Sequence, residues 1–154
     1  MSGFSIRPLM PEDAHVARAF VRLQLAGTRY LARLEEQLDA ALRFEDPEYM
    51  ALLALNDDDA MLALTLFGAV AGARQCVKLH AIVGTDSPAM TALAAGIADM
   101  CDRSGERLIV CEVPDDAPWA GGAVVLLDNE YREEGRVPDY VRDGVALRLL
   151  VRRP

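Results

Sequence analysis

The chain has little with which to hold a metal or build a disulfide. Cys76, Cys101 and Cys111 are its only cysteines. Odd in number, widely spaced and without a CxxC pair, they exclude a disulfide framework and the usual cysteine zinc site. They read as three reduced thiols, two of them on apolar strands. With only His15 and His80 as histidines, no metal-ligand cluster, Ser-His-Asp set or Cys-His pair takes shape. Gly121-Gly122 comes without the lysine and spacing of a phosphate loop. Apolar residues reach 52%, yet no apolar run attains the roughly 18 residues that a membrane span needs. The most apolar stretch, Ala60 to Ala73, is interrupted by Gly68 and Gly72. Met1-Ser2-Gly3-Phe4 lacks a basic segment followed by an apolar one, so a cytoplasmic protein without a signal peptide is expected. Basic residues are short too: 16 against 24 acidic ones, a formal net charge of −8. Such a surface repels a nucleic-acid backbone on average, which makes nucleic acid an unexpected partner. Arg132, Arg136, Arg142, Arg148, Arg152 and Arg153 crowd the C-terminal fifth. They read as solvated charges on strand edges rather than as a binding patch.

What is present is a series of apolar periods that fits one domain over residues 1–154, with no repeat, low-complexity tract or linker. Phe4 to Pro8 is a first strand. Pro11-Glu12-Asp13 starts a helix, with proline in the first turn and acids at the positive end of the dipole. Val16, Phe20 and Leu23 then recur at helical spacing. A second helix carries Leu31, Leu34, Leu38 and Leu42 on one stripe and ends at Glu45-Asp46-Pro47. Tyr49 to Leu55 and Ala60 to Ala71 are apolar strands around Asn56-Asp57-Asp58-Asp59, an acidic hairpin turn without the further ligands of a calcium loop. Gln75 to Val83 is the third strand of this group. Asp86 or Ser87 caps a helix with Pro88 in its first turn. Its stripe is Met90, Leu93, Ile97 and Cys101, and Ser104-Gly105 closes it. Arg107 to Val113 is a strand, Pro114-Asp115-Asp116 a turn and Ala123 to Asn129 a short helix. Arg132 to Val137 is a strand broken by Pro138-Asp139-Tyr140. Arg142-Asp143-Gly144 turns into the last strand, Val145 to Val151. The order is β-α-α-β-β-β-α-β-α-β-β. It predicts an α/β (α+β) domain with a mixed central sheet of about seven strands flanked by about four helices.

The C-terminal block from Tyr131 to Val151, YREEGRVPDYVRDGVALRLLV, resembles the last hairpin of the GCN5-related N-acetyltransferase (GNAT) superfamily. There a glycine-phenylalanine pair precedes a similar stretch. The order of elements resembles that fold over nearly the whole chain. The resemblance implies an N-acyltransferase that moves an acetyl or other acyl group from acyl-CoA to the amine of a small molecule or peptide. The amine attacks directly after a general base removes its proton, and a tyrosine often protonates the leaving thiolate. The family holds the coenzyme A pyrophosphate on an R-x-x-G-x-G/A loop at a helix N-terminus. The matching stretch here is Val83 to Met90, VGTDSPAM, without the arginine or the glycine pair. Pro88 removes a donor, and Asp86 puts a negative charge where a diphosphate would sit. On the resemblance, the cofactor-binding positions are Val83, Thr85, Ser87 and Ala89. The glycine-phenylalanine pair reads Glu130-Tyr131, and the tyrosine position reads Leu126. Tyr131 is expected in the core. The asparagine often found after the fifth strand has no clear counterpart among Asp115, Asp116 and Ala117. These departures keep an alternative open: a noncatalytic binding or dimerisation module that has lost normal coenzyme A binding. Met61 to Phe67 then serves a homodimer interface or a buried central strand.

Two residues are candidate catalysts. Strand parity places Lys78, His80 and Ile82 on one face, and the matching strand of the family lines the acceptor cleft. An imidazole there suits a general base near pH 7; the plainer alternative is a histidine satisfied by a hydrogen bond. Glu112 sits in a strand of apolar neighbours, so it either faces solvent or lines the cleft. Trp119 reads as packing at the core edge, as a lid, or as an interface anchor. The acidic balance suits a cationic acceptor.

Overall fold

Residues 3–153 are described by the computed structural model. Met1, Ser2 and Pro154 lie outside the described residues, and with them half of the Met1-Ser2-Gly3-Phe4 segment on which the signal-peptide expectation rests. The expected order of elements is observed. Strand β1 is Ser5–Pro8, and a 3-10 turn at Pro11–Asp13 leads into helix α1, Ala14–Gln24. Helix α2 is Leu31–Ala41. Strands β2 (Met50–Leu55), β3 (Met61–Ala69) and β4 (Cys76–Gly84) follow, joined by hairpins. Helix α3 is Ser87–Ser104, strand β5 is Leu108–Pro114, and helix α4 is Ala117–Asp128. Strands β6 (Arg132–Arg142) and β7 (Val145–Arg152) close the chain.

The strands form one mixed sheet in the order β1-β2-β3-β4-β5-β7-β6. Among neighbouring strands only β4 and β5 run parallel, and helix α3 carries the chain from the end of one to the start of the other. The α1–α2 pair and the α3–α4 pair pack against the sheet. Strands β2 and β3 are therefore almost continuously buried rather than alternating. The leucine stripe of α2 does what its spacing predicts: Leu34 and Leu38 are fully covered, each contributing about 1.5–3 kcal/mol of apolar burial. Met61 to Phe67 lies in β3, at the sheet's interior, and Ala63 to Phe67 are all buried. Of the two readings of that stretch, the buried central strand is the one that Ala63 to Phe67 fulfil.

Helix α2 ends at Ala41, earlier than the Glu45-Asp46-Pro47 stop expected, and two boundaries differ more. Helix α4 begins at Ala117 rather than Ala123, because Asp116 caps it and Pro118 suits its first turn. Strand β6 runs through Pro138 to Arg142. It is an edge strand, so a residue without an N–H is tolerated, and the irregular register between Val137 and Arg142 absorbs Pro138 and Asp139. The acidic turn is closed internally, since Asn56 Oδ1 accepts the N–H groups of Asp58 and Ala60.

Candidate functional site

The site begins where β4 and β5 part. Cys76, Val77 and Lys78 pair with Leu108, Ile109 and Val110; beyond them β4 continues beside β3 and β5 beside β7. A bulge falls at the same place. Leu66 faces Ala81 and Phe67 faces Leu79, so His80 is the extra residue on β4. A bulge bends and twists its strand, and the simple parity of the sequence reading ends there. Lys78 and His80 line a cleft of about 220 Å³ with Tyr30, Arg33, Gln37, Glu112 and Trp119. Ile82 is not among its walls. Instead it packs against Gly122 of α4.

His80 is held by its backbone surroundings. Its Nε2 lies 2.7 Å from the carbonyl oxygen of Glu48. A carbonyl only accepts, so Nε2 carries the proton and Nδ1 the lone pair. The ring also stacks on Tyr49, with centroids 4.8 Å apart. The Glu48 carbonyl reaches His80 because the chain before β2 lies over β3: Ala69 N–H donates to Pro47 O at 2.9 Å. Gly68 makes this approach possible, since a Cβ there would collide with the Glu48 carbonyl. Burial pushes the His80 pKa below its ordinary value. The Glu48 bond opposes that shift, and the Lys78 and Arg33 charges add to it. His80 is thus a neutral base at pH 7, with one nitrogen fixed and the other open.

Around it, Glu112 is about half exposed and lies 3.7 Å from Lys78 Nζ, so it both faces solvent and lines the cleft. Tyr30 O–H donates to Asp116 Oδ2 at 2.8 Å. Burial first, and then this bond, raise the Tyr30 pKa, so the phenol keeps its proton. Asp116 also accepts both Nη groups of Arg142, at 3.0 and 3.3 Å. The bond from Tyr30, then that from Arg142, hold its carboxyl below the usual range. Trp119 meets Tyr30 edge-on at 5.4 Å, and its indole N–H is buried without a partner.

The other side of the parting, where the resemblance puts the acyl donor, is differently built. Asp86 Oδ1 takes the Ala89 N–H at 3.0 Å, the Met90 N–H bonds the Asp86 carbonyl, and Pro88 has none. Val83 is buried in β4 opposite Leu64. Of the four cofactor positions expected from sequence, only Thr85 and Ser87 are exposed. No lysine or arginine occurs from Val83 to Met90. Between β4 and β5, a cavity of about 30 Å³ remains among Ile82, Val113, Trp119, Gly122 and Leu126, room for about one water. A Cβ on Gly122 would sit 2.9 Å from Ile82 Cγ2 and 3.1 Å from Ile82 O, so α4 rests directly on β4. With no cation, Pro88 lacking a donor and the Ala89 N–H taken by Asp86, the Val83–Met90 segment does not fit the coenzyme A diphosphate as it stands. Leu126, at the position where the family often has tyrosine, is fully buried. Tyr131 is buried too, with its pKa raised by burial, and belongs to the core as expected.

The sequence reading found His80, Glu112 and Trp119, which the fold brings together. It missed Glu48, Tyr49 and Gly68, which orient His80, and Tyr30 and Arg33, which wall the cleft. One signal was available: a glycine inside an apolar strand marks close backbone approach. Burial raises the thiol of Cys101 to about 11 and that of Cys111 to about 12, so both are inert structural residues. Among the described residues no cluster of three His, Cys, Asp or Glu can hold a metal, and no helix is long and apolar enough to cross a membrane.

No family model and no curated protein matches this chain. Solved structures do. A protein assigned to the GNAT acetyltransferase family from Desulfovibrio desulfuricans superposes with a TM-score of 0.80 at 17% identity, covering 98% of this chain and 99% of that one. A GCN5-related N-acetyltransferase from Kribbella flavida gives 0.77 at 14% identity, covering 98% of each chain. A GNAT phosphinothricin acetyltransferase from Sinorhizobium meliloti, solved with acetyl-CoA, gives 0.75 at 12% identity, covering 97% of this chain and 88% of that one. The chain has the GNAT fold.

Proposed function

We propose that this chain is an N-acyltransferase acting on a small amine bound in the cleft of Tyr30, His80 and Glu112. One observation carries the reading: His80 stands at the parting of β4 and β5 with Nε2–H fixed on Glu48 and the Nδ1 lone pair open. An ammonium cannot attack an acyl carbon. His80 Nδ1 takes its proton, and the Glu48 carbonyl, already bonded to Nε2–H, steadies the imidazolium that forms. The freed nitrogen lone pair is then the nucleophile. Acyl-CoA is the donor class that the fold suggests, by analogy with neighbours such as the acetyl-CoA complex. Because the donor half does not fit coenzyme A as it stands, roles follow for the acceptor side alone. Three reduced thiols suit a cytoplasmic setting.

The closed donor half favours a second reading, in which the same cleft binds an amine without transferring anything to it. Thermal-shift titration with acetyl-CoA and free coenzyme A, backed by calorimetry, separates the two. Saturable binding, with an acylated amine seen by mass spectrometry and lost in His80→Ala, supports transfer. Amine binding with no response to millimolar coenzyme A selects the second reading. No amine binding at all overturns both.

A further inference from the structure

The charge of the cleft is not the charge of the surface. The chain is acidic overall, at −8, a balance that suits a cationic acceptor. The cleft walls carry two cations, Arg33 and Lys78, against one carboxylate, Glu112. Glu112 is already beside Lys78, at 3.7 Å. The nearby Asp116 is taken by Tyr30 and Arg142. Arg33 has only Glu36 as an ionic partner among the described residues, at 3.5 Å, with both groups about two-thirds exposed. Such a contact contributes little and is easily exchanged. A guanidinium with a loose partner at the mouth of a cleft is built to take a planar anion on two N–H groups.

Both cations also bear on His80. A bare ammonium entering this field is repelled by Arg33 and Lys78 and attracted only by a carboxylate that Lys78 already shares. An amine with its own anionic group has no such conflict: the anion meets Arg33, while the amine faces His80 and Glu112. The cleft volume of about 220 Å³ lies below the roughly 300 Å³ where drug-sized sites begin, which suits a ligand the size of a free amino acid. We infer that the amine is a small zwitterion bearing its own carboxylate, selected by Arg33. This rests on the reading of the cleft as an amine site and deepens it.

The test is calorimetry on matched pairs, each an amino acid and the amine left when its carboxylate is removed: tyrosine with tyramine, histidine with histamine, lysine with cadaverine. The amino acid of at least one pair binds tenfold or more tighter than its amine. Arg33→Ala removes that preference, and Arg33→Lys restores part of it. Arg33 is exposed on α2, so both variants fold, which their melting curves verify. Amines that bind as well as their amino acids, or a preference that survives Arg33→Ala, overturn the inference. Failure of every probe overturns it together with the amine-site reading. Preference without acylation leaves it standing and removes only the transferase reading.

Discussion

Adjacent glycines in α4 provide an internal control on whether the helix rests on β4. Gly121 is exposed, and a Cβ there would have Met90 Cε at 3.8 Å as its nearest neighbour, an ordinary contact. Gly122 is buried, with Ile82 Cγ2 at 2.9 Å and Ile82 O at 3.1 Å from the same atom. In a helix interior, alanine is favoured over glycine by about 1 kcal/mol. Gly121→Ala should therefore stabilise the fold by about 0.5–1 kcal/mol. Gly122→Ala gains the same propensity but forces the helix off a strand. The side chain of Ile82 can rotate away, whereas its carbonyl cannot, since it is part of the sheet. Overpacking of this kind costs about 1–3 kcal/mol, leaving a net loss of up to about 2 kcal/mol. Urea unfolding of both variants and the parent measures the two effects, provided that the m-values agree. Stabilisation of both by the same amount would refute the close approach of α4 to β4.

Other outcomes follow from the same contacts. Asp86→Ala removes the cap of α3 and should cost about 1 kcal/mol in chemical unfolding, whereas Asp86→Gly should cost only a few tenths. Asp86→Gly also frees the Ala89 N–H and removes a negative charge. If the N-terminus of α3 is still a diphosphate seat, calorimetry should show tighter coenzyme A binding in this variant; no gain removes that seat. His80 has a folded-state pKa below its ordinary 6.5. As pH falls below about 6.5 the unfolded chain takes up this proton first, so stability from this residue declines down to the folded pKa and is constant above 6.5. The stability difference between the parent and His80→Gln should move against the parent from pH 7 to pH 5. A difference that moves toward the parent would reverse the sign of the shift.

Much of the fold was legible because its signals are local. The leucines of α2 recur at helical spacing and do face the core. Asp86, Pro88 and Gly105 bound α3 through cap chemistry that a short window contains. The start of α4 was missed although Asp116 and Pro118 are such signals, because Gly121-Gly122 weakens the helical pattern that follows. Gly122 serves α4 through contact with Ile82, on a strand about forty residues earlier, which no local window shows. The site was legible only in part, for the same reason. His80 stood out as a titratable residue on the strand that lines the cleft, and the lack of arginine and of a glycine pair was visible in Val83 to Met90. The bulge that turns His80 into the cleft depends on the pairing of β4 with β3. Its orienting carbonyl comes from Glu48, 32 residues away, and reaches it only because Gly68 on a third segment has no side chain. The positive lining of the cleft opposes the overall charge, so composition pointed the other way.

The central claim is that His80 is a neutral base with its open nitrogen in the cleft. Nitrogen-15 NMR of the histidine rings at pH 7 tests it most directly, with His15→Gln to assign the signals. The account predicts a protonated, pyrrole-like Nε2 and an unprotonated Nδ1, the latter shifted when a zwitterionic amine is added, and loss of this single tautomer in Gly68→Ala. A doubly protonated ring, or a proton on Nδ1 with Nε2 bare, would contradict it.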